Sequence, residues 1–192
     1  MSGTYPTSPT FNAVKFISRV ANVRSETESL RTQTRSLGGQ RFEFSAKYPK
    51  LTQSQWATVD SFLMRQDGSK ETFQIVLPVI STQQGSATGT VLVNGAHSKG
   101  VRTIAVTGLT GTIAAGSVIK FDSHTKVYKV VADLTGAGNL TIRPGLMQAL
   151  VDLDPVAYDD VPFTVRQKGD TQEFDIEPGV FYSYEVDMVE DI

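Results

Sequence analysis

The stretch Arg41-Phe42-Glu43-Phe44-Ser45-Ala46-Lys47 switches between polar and apolar residues at every step. A period of two puts Phe42, Phe44 and Ala46 on one face of an extended strand and leaves the polar residues on the other. The same reading applies to Glu71–Leu77, with Phe73, Ile75 and Leu77 on one side and Pro78 ending the run. Near the C-terminus, Val180, Tyr182, Tyr184, Val186 and Met188 again fall on one face. Val, Thr and Ile make up 51 of the 192 residues. Such side chains are stiff at χ1 and suit a pleated surface. The sequence therefore predicts a mainly β protein.

Outward from residue 41, the upstream chain reads as a hairpin. Phe11–Val23 is a strand with Val14, Phe16 and Val20 on one side, though its alternation is less regular. Glu26–Ser36 sets Leu30, Thr32 and Thr34 against Arg31, Gln33 and Arg35. It has little apolar content, which predicts an edge or a projecting ribbon. Gly38-Gly39 is expected to make a turn into the strand at 41–47. Residues 1–10, with Pro6 and Pro9, are expected to form an extended arm, mobile until bound. A helix is predicted over 52–65. Thr52 with Gln55 makes a capping box, Trp56, Val59, Phe62 and Leu63 share a face, and Gly68 follows as a stop.

The texture changes near residue 81. Ser81–Gly89 is small, polar and free of aromatics. Strands are expected at Thr90–Asn94, Val101–Thr107, Ser117–Phe121, Lys126–Ala132 and Asn139–Arg143, with glycines between them. Five short strands with glycine turns suit a small barrel. A second boundary is expected near Asp152-Leu153-Asp154-Pro155, followed by strands around Phe163–Arg166 and Val180–Met188. The last 40 residues are too few to bury a core alone. The expected layout is therefore a discontinuous β-sandwich, 1–80 plus 153–192, with a barrel inserted at 81–152. Two independent domains are the alternative.

The net charge of −2 hides a strong asymmetry. Residues 1–80 carry ten Lys or Arg against six Asp or Glu, and 81–150 carry six against two, so each block is +4. Residues 151–192 carry two against twelve, a net −10, yet are rich in Val, Phe and Tyr and should fold. Three readings fit: a solvated sheet face, self-assembly of an acidic surface on a basic one, or an acidic lumen that repels nucleic acid. There is no cysteine, so disulfide frameworks, Cys-based zinc sites and thiol catalysis are excluded. No apolar run reaches the ~18 residues of a membrane span. The opening Met1-Ser-Gly-Thr-Tyr-Pro6 lacks the basic and apolar regions of a secretory leader. The expectation is a soluble chain that is not exported.

Catalytic signals are weak. His124 in Phe121-Asp-Ser-His-Thr-Lys126 has Asp122 and Ser123 beside it, but a triad needs groups converging from separate elements. A strand turn is the preferred reading, and His97 reads as a loop residue. Neither has companions at metal-ligand spacing. Asp159-Asp160 and the series Asp170, Glu173, Asp175, Glu177 lack a calcium loop's spacing and read as a solvated or interface surface. The glycine-rich stretches match no nucleotide-binding fingerprint. No catalytic, cofactor or metal residue is therefore assigned. Arg31, Arg35 and Arg41 lack interleaved aromatics and read as an interface ribbon rather than a nucleic-acid site. Glu185 and Asp187, on the last strand, are the expected acidic interface residues.

Two stretches carry a resemblance. The first is Gly116-Ser-Val-Ile-Lys-Phe121, Lys126-Val-Tyr-Lys-Val130, Asp133, Gly138 and Leu140-Thr-Ile-Arg-Pro144-Gly-Leu146. It resembles a small β-barrel module of tailed-bacteriophage tail proteins, where a Gly-x-x-Ile-x-Phe strand precedes Lys-Val-Tyr-x-Val and a strand ending in Pro-x-Leu. The second is Phe42-Glu-Phe-Ser-Ala46, Pro49, the helix, Gly68 and Phe73-Gln-Ile-Val-Leu-Pro78. Together they resemble a distal tail, or tail-tube-initiating hub, protein. The resemblance implies a tail-tube-like β-sandwich and a six-copy ring. That ring would join the tail tube to hub and baseplate proteins in the virion, after assembly in the host cytoplasm. DNA would pass through without specific binding, and the role would involve no cofactor, no membrane and no catalysis. Two other classes stay open: a carbohydrate- or receptor-binding module using the barrel, and a cell-wall hydrolase, for which no acid and nucleophile can be placed.

Overall fold

The computed structural model describes residues 3–178 and 181–192. The protein is mainly β with a single helix among the described residues. Its chain order is β1 (Ala13–Glu26), β2 (Thr32–Lys47), α1 (Gln53–Met64), β3 (Phe73–Ile75), β4 (Leu92–Val93), β5 (Thr103–Thr107), β6 (Thr112–Ile113), β7 (Val118–Phe121), β8 (Val127–Val130), β9 (Leu134–Thr135), β10 (Gly138–Arg143), β11 (Val156–Ala157), β12 (Phe163–Gln167), β13 (Phe174–Glu177) and β14 (Phe181–Glu190).

One antiparallel sheet runs β1-β2-β14-β12-β3, with β13 added to β14. Its strands come from both ends of the chain. The alternation at 41–47 works as expected: Phe42, Phe44 and Ala46 are buried, while Arg41 and Lys47 face solvent. On β14, Tyr184, Val186 and Met188 are buried in the same way; Val180, expected on that face, lies outside the described residues. Aromatic rings dominate this core. Phe44 meets Phe163 edge-on at 5.0 Å, and Phe62 of α1 meets Phe73 at 5.3 Å. Thr52 N–H donates to Gln55 Oε1 at 3.0 Å and closes the capping box of α1. Trp56, Val59, Phe62 and Leu63 are its buried stripe, as the spacing predicts.

A second sheet runs β11-β7-β8-β10-β5-β4. Its two end strands nearly meet. Val156 N–H donates to Val91 O at 2.9 Å and Val93 N–H to Asp154 O at 3.0 Å, which almost closes a six-stranded barrel. Closure removes free edges. Strand β11 reaches past residue 152, because the barrel needs it to pair with β7. Strands β6 and β9 form a small separate ribbon. The barrel has its own core, in which Ile104, Ile119, Phe121, Tyr128, Leu140 and Ile142 are fully buried. The chain enters and leaves the barrel at one place: Val161 N–H donates to Ser81 O at 3.0 Å and Gln83 N–H to Asp159 Oδ1 at 3.1 Å.

Two expectations are corrected. Gly38-Gly39 is not the hairpin turn. The turn is Thr27–Arg31, where Thr27 N–H donates to Arg31 O and Leu30 takes a left-handed φ of 59°. Gly38 and Gly39 lie within β2 as a bulge, because Val20 pairs with Gln40 while Asn22 pairs with Ser36. Three residues thus oppose Ala21, and the positive φ of Gly38 absorbs the excess. Nor is the N-terminal arm free. Tyr5 N–H donates to Gln74 O at 2.7 Å and Gln74 N–H to Gly3 O, which pairs the arm with β3. Tyr5, only 3 % exposed, meets Phe62 at 5.2 Å, and Tyr48 Oη–H donates to its Oη at 2.9 Å. Burial pushes the Tyr5 hydroxyl far above its ordinary pKa. An aromatic with this much to bury holds the arm down.

Candidate interaction surfaces

Four surfaces need explaining: a ribbon, an edge, an acidic face and a basic groove. The ribbon comes first. Residues 18–38 are exposed without exception, although β1 and β2 stay hydrogen-bonded along this length. Beyond Ala21 the polar contacts stay within the ribbon: Arg24 reaches Thr32 at 3.5 Å and Glu26 at 3.8 Å, whereas Ser18 and Arg19 at its base reach Gln40 and Glu43. The β-branched residues at 20 and 23 pack on no core. Below the bulge, β1 is also the outer strand of the sheet, so its outward backbone groups lie along an open edge. A lone two-stranded hairpin is marginal in water, and an open edge invites a further strand.

The predicted interface arginines separate into two places. Arg31 lies in the tip turn and Arg35 opposite Val23, both on the ribbon. Arg41 lies on the sheet body, where its Nη2 is 3.3 Å from Glu43 Oε1. Arg19 Nε stands 2.7 Å and Lys168 Nζ 3.1 Å from the same carboxylate. Three cations thus cover Glu43, whose pKa is held low chiefly by the Lys168 hydrogen bond, against desolvation and with help from Arg19. Arg41 is spent on this cluster, whereas Arg31 and Arg35 have no ion-pair partner among the described residues.

The acidic face lies on β13 and β14. Glu173, Asp175, Glu185 and Asp187 line a shallow cleft of about 760 Å³ with Lys47 at its side. The structure brings the predicted Glu185 and Asp187 together with two members of the acidic series. Glu185 also accepts a hydrogen bond from the Ser45 hydroxyl. Asp170 is not part of this face: it clasps Ser69 through the backbone N–H at 2.9 Å and the hydroxyl at 2.6 Å. Exposed apolar residues flank the acids. Ile176 is 63 % exposed, and Phe174 and Phe181 are also exposed, though Phe174 rests one side on Trp56 at 4.9 Å.

The basic groove went unseen in the sequence. It runs for about 750 Å³ between the bulge of β2 and the barrel. Lys99, Arg102, Lys129 and Arg143 line it, and no carboxylate does. The barrel brings these cations together from separate segments: Arg143 pairs across the ladder with Lys129, and Ile142 N–H donates to Arg102 O. Val20, Leu37 and Val131 supply exposed apolar surface.

Beneath the groove, a buried ion pair joins barrel and sheet. Lys126 Nζ lies 2.6 Å from Glu190 Oε2, with both side chains almost wholly covered. That oxygen also accepts Phe42 N–H at 2.9 Å, and Oε1 accepts Val127 N–H at 2.9 Å. The ammonium also donates to Val127 O at 2.8 Å and sits 4.3 Å from the Phe42 ring centroid. Burial pushes the Lys126 pKa down and Glu190 opposes that shift. Every strong polar group of the pair has a partner, which a buried charge requires.

The histidines are absorbed structurally. His124 is buried, with Nδ1 2.9 Å from Tyr128 Oη and Nε2 3.5 Å from Ala149 O. Burial lowers its pKa and favours the neutral ring, while Tyr128 is pushed up to about 12. Ala105 N–H donates to His97 Nε2 at 3.2 Å. Among the described residues, no three His, Cys, Asp or Glu side chains converge as metal ligands would. The two barrel aromatics a glycan could have stacked on, Phe121 and Tyr128, are fully buried. No described helix is long and apolar enough to cross a membrane. Comparison with known proteins finds no family model that matches this chain and no curated sequence that is similar to it.

Proposed function

We propose that this chain is a structural protein of a phage tail tip or baseplate whose copies join into a ring. The ring, of six copies in the family the sequence resembles, links the tail tube to the hub and surrounds the DNA channel. The observation that carries this reading is the ribbon at residues 18–38, exposed throughout and continuous with the open edge of β1. A second chain laid on that edge would satisfy its backbone groups and cover the ribbon. A head-to-tail contact of this kind closes into a ring when the rotation between copies allows.

The charge layout supports the same reading. Acidic and basic surfaces lie on different parts of the molecule, so they can meet between copies or leave an acidic wall toward passing DNA. The virion is the corresponding location, with tail-tube, hub and baseplate proteins as neighbours. Light scattering and negative-stain electron microscopy of the purified chain test this. Closed rings or stacked rings are expected. A monomer at every concentration contradicts the proposal.

A further inference from the structure

The basic groove and the acidic hairpin are complementary in charge and in apolar character. The groove carries Lys99, Arg102, Lys129 and Arg143 with no lining carboxylate, around exposed Val131 and Leu37. Strands β13 and β14 carry Glu173, Asp175, Glu185 and Asp187 beside exposed Ile176 and Phe181. The two surfaces share no lining residue, so one molecule can offer both at once. The groove also holds an unfilled acceptor. Gln40 is only 8 % exposed; its amide donates to Ser18 Oγ at 2.9 Å, but its Oε1 has no hydrogen-bond partner among the described residues. A buried acceptor without a partner is costly and marks the groove floor as incompletely satisfied in the single chain.

We propose that the groove between the β2 bulge and the barrel receives the β13–β14 hairpin strands of a second copy of this chain. The inference rests on the reading that copies of the chain assemble, and it adds a second pair of surfaces to the β1 edge and its ribbon. Four cations would face four carboxylates, and the apolar residues between them would leave water together. Ser183 lies on the same face of the hairpin, with Asp175 opposite it in the ladder. The contact is heterologous: each copy gives a hairpin to one neighbour and takes one from the other. The bulge has a role in this scheme, because Ser36–Gln40 forms one wall of the groove.

Two charge-reversed chains test the contact. One carries Lys129→Glu with Arg143→Glu; the other carries Asp175→Lys with Asp187→Lys. All four positions are exposed, and circular dichroism with a heat melt checks that each chain folds. Sedimentation velocity over a range of concentrations then reads assembly. The wild-type chain is expected to assemble, and each reversed chain alone to show a Kd raised on the order of 100-fold. Their equimolar mixture is expected to assemble again, because each unaltered groove then meets an unaltered hairpin, and the altered groove and hairpin, both net neutral, no longer oppose a like charge. Reversed chains that assemble as tightly as the wild type overturn the docking and leave assembly standing. A wild-type chain that stays monomeric overturns both. If a reversed chain misfolds, Val131→Cys and Ile176→Cys on separate chains replace the test. The natural sequence has no cysteine, so a disulfide joining the two chains under air reports their contact. A mixture that yields only same-chain dimers at the background level overturns the docking.

Discussion

Strands β1 and β2 pass through two different worlds on either side of the bulge at Gly38. In the inner half, Phe42 and Phe44 enter an aromatic core, Phe42 N–H donates to Glu190, and Glu43 sits under three cations. In the outer half the ladder continues to Glu26 paired with Thr32, but no side chain finds a core. Backbone pairing is therefore common to both halves, and packing belongs to one. A ladder without packing holds little stability of its own. The outer half therefore adds little to the fold of the single chain.

The largest expected break in this contrast comes from Phe44→Ala. The ring is buried against Phe163 at 5.0 Å and Phe16 at 5.2 Å, so its loss should cost about 3–5 kcal/mol in urea unfolding. A loss below about 1 kcal/mol would mean the inner half is not the anchored one. Next comes the joint under β2. Glu190→Ala strands the Lys126 ammonium without its carboxylate and should cost about 3 kcal/mol. Adding Lys126→Met to it should recover part of that loss, because the stranded charge is gone while the Phe42 and Val127 amides stay without their acceptor. Simple addition of the two single losses would show the pair to be uncoupled.

A smaller effect is expected in acid. The Glu43 pKa lies below its usual 4.5 in the folded chain, so its stabilising contribution is present above that value. It is lost as pH falls through 4.5 toward the folded value, where the carboxylate takes up a proton and releases Lys168, Arg19 and Arg41. Glu43→Gln should flatten this limb in urea melts run from neutral pH downward. An unchanged slope would place the acid sensitivity elsewhere. The smallest effect belongs to the outer half: Val23→Ala should alter the stability of the dilute chain by less than about 0.5 kcal/mol. A larger loss would mean that the ribbon packs within one copy.

The sequence made the inner half legible because burial imposes a strict period. Phe42, Phe44 and Ala46, the capped helix at Thr52 with Gln55, and the glycine-bounded strands of the barrel all announce themselves locally. The bulge did not, because a glycine pair with a positive φ serves a turn and a bulge equally well. The true turn escaped notice because Leu30 takes its left-handed φ without being glycine. Tyr5 gave no sign of docking, since its partners Phe62 and Tyr48 are remote in sequence. The Lys126–Glu190 pair spans 64 residues, and no local pattern could join them. Strand β13 was masked by its alternating acids, which read equally well as a solvated charge run. Of the residues proposed to meet between copies, Glu185 and Asp187 were legible as neighbours on one strand face, whereas the groove cations come from separate segments and only the barrel gathers them.

Hydrogen exchange of the amides at 21–37, followed as protein concentration rises, tests the central claim most directly. With the inner-half amides at 42–46 as an internal reference, the ribbon should exchange quickly in dilute solution and become protected as copies associate. Exchange at 21–37 that stays equally fast, or equally slow, at every concentration would contradict the claim that this ribbon is completed by another copy of the chain.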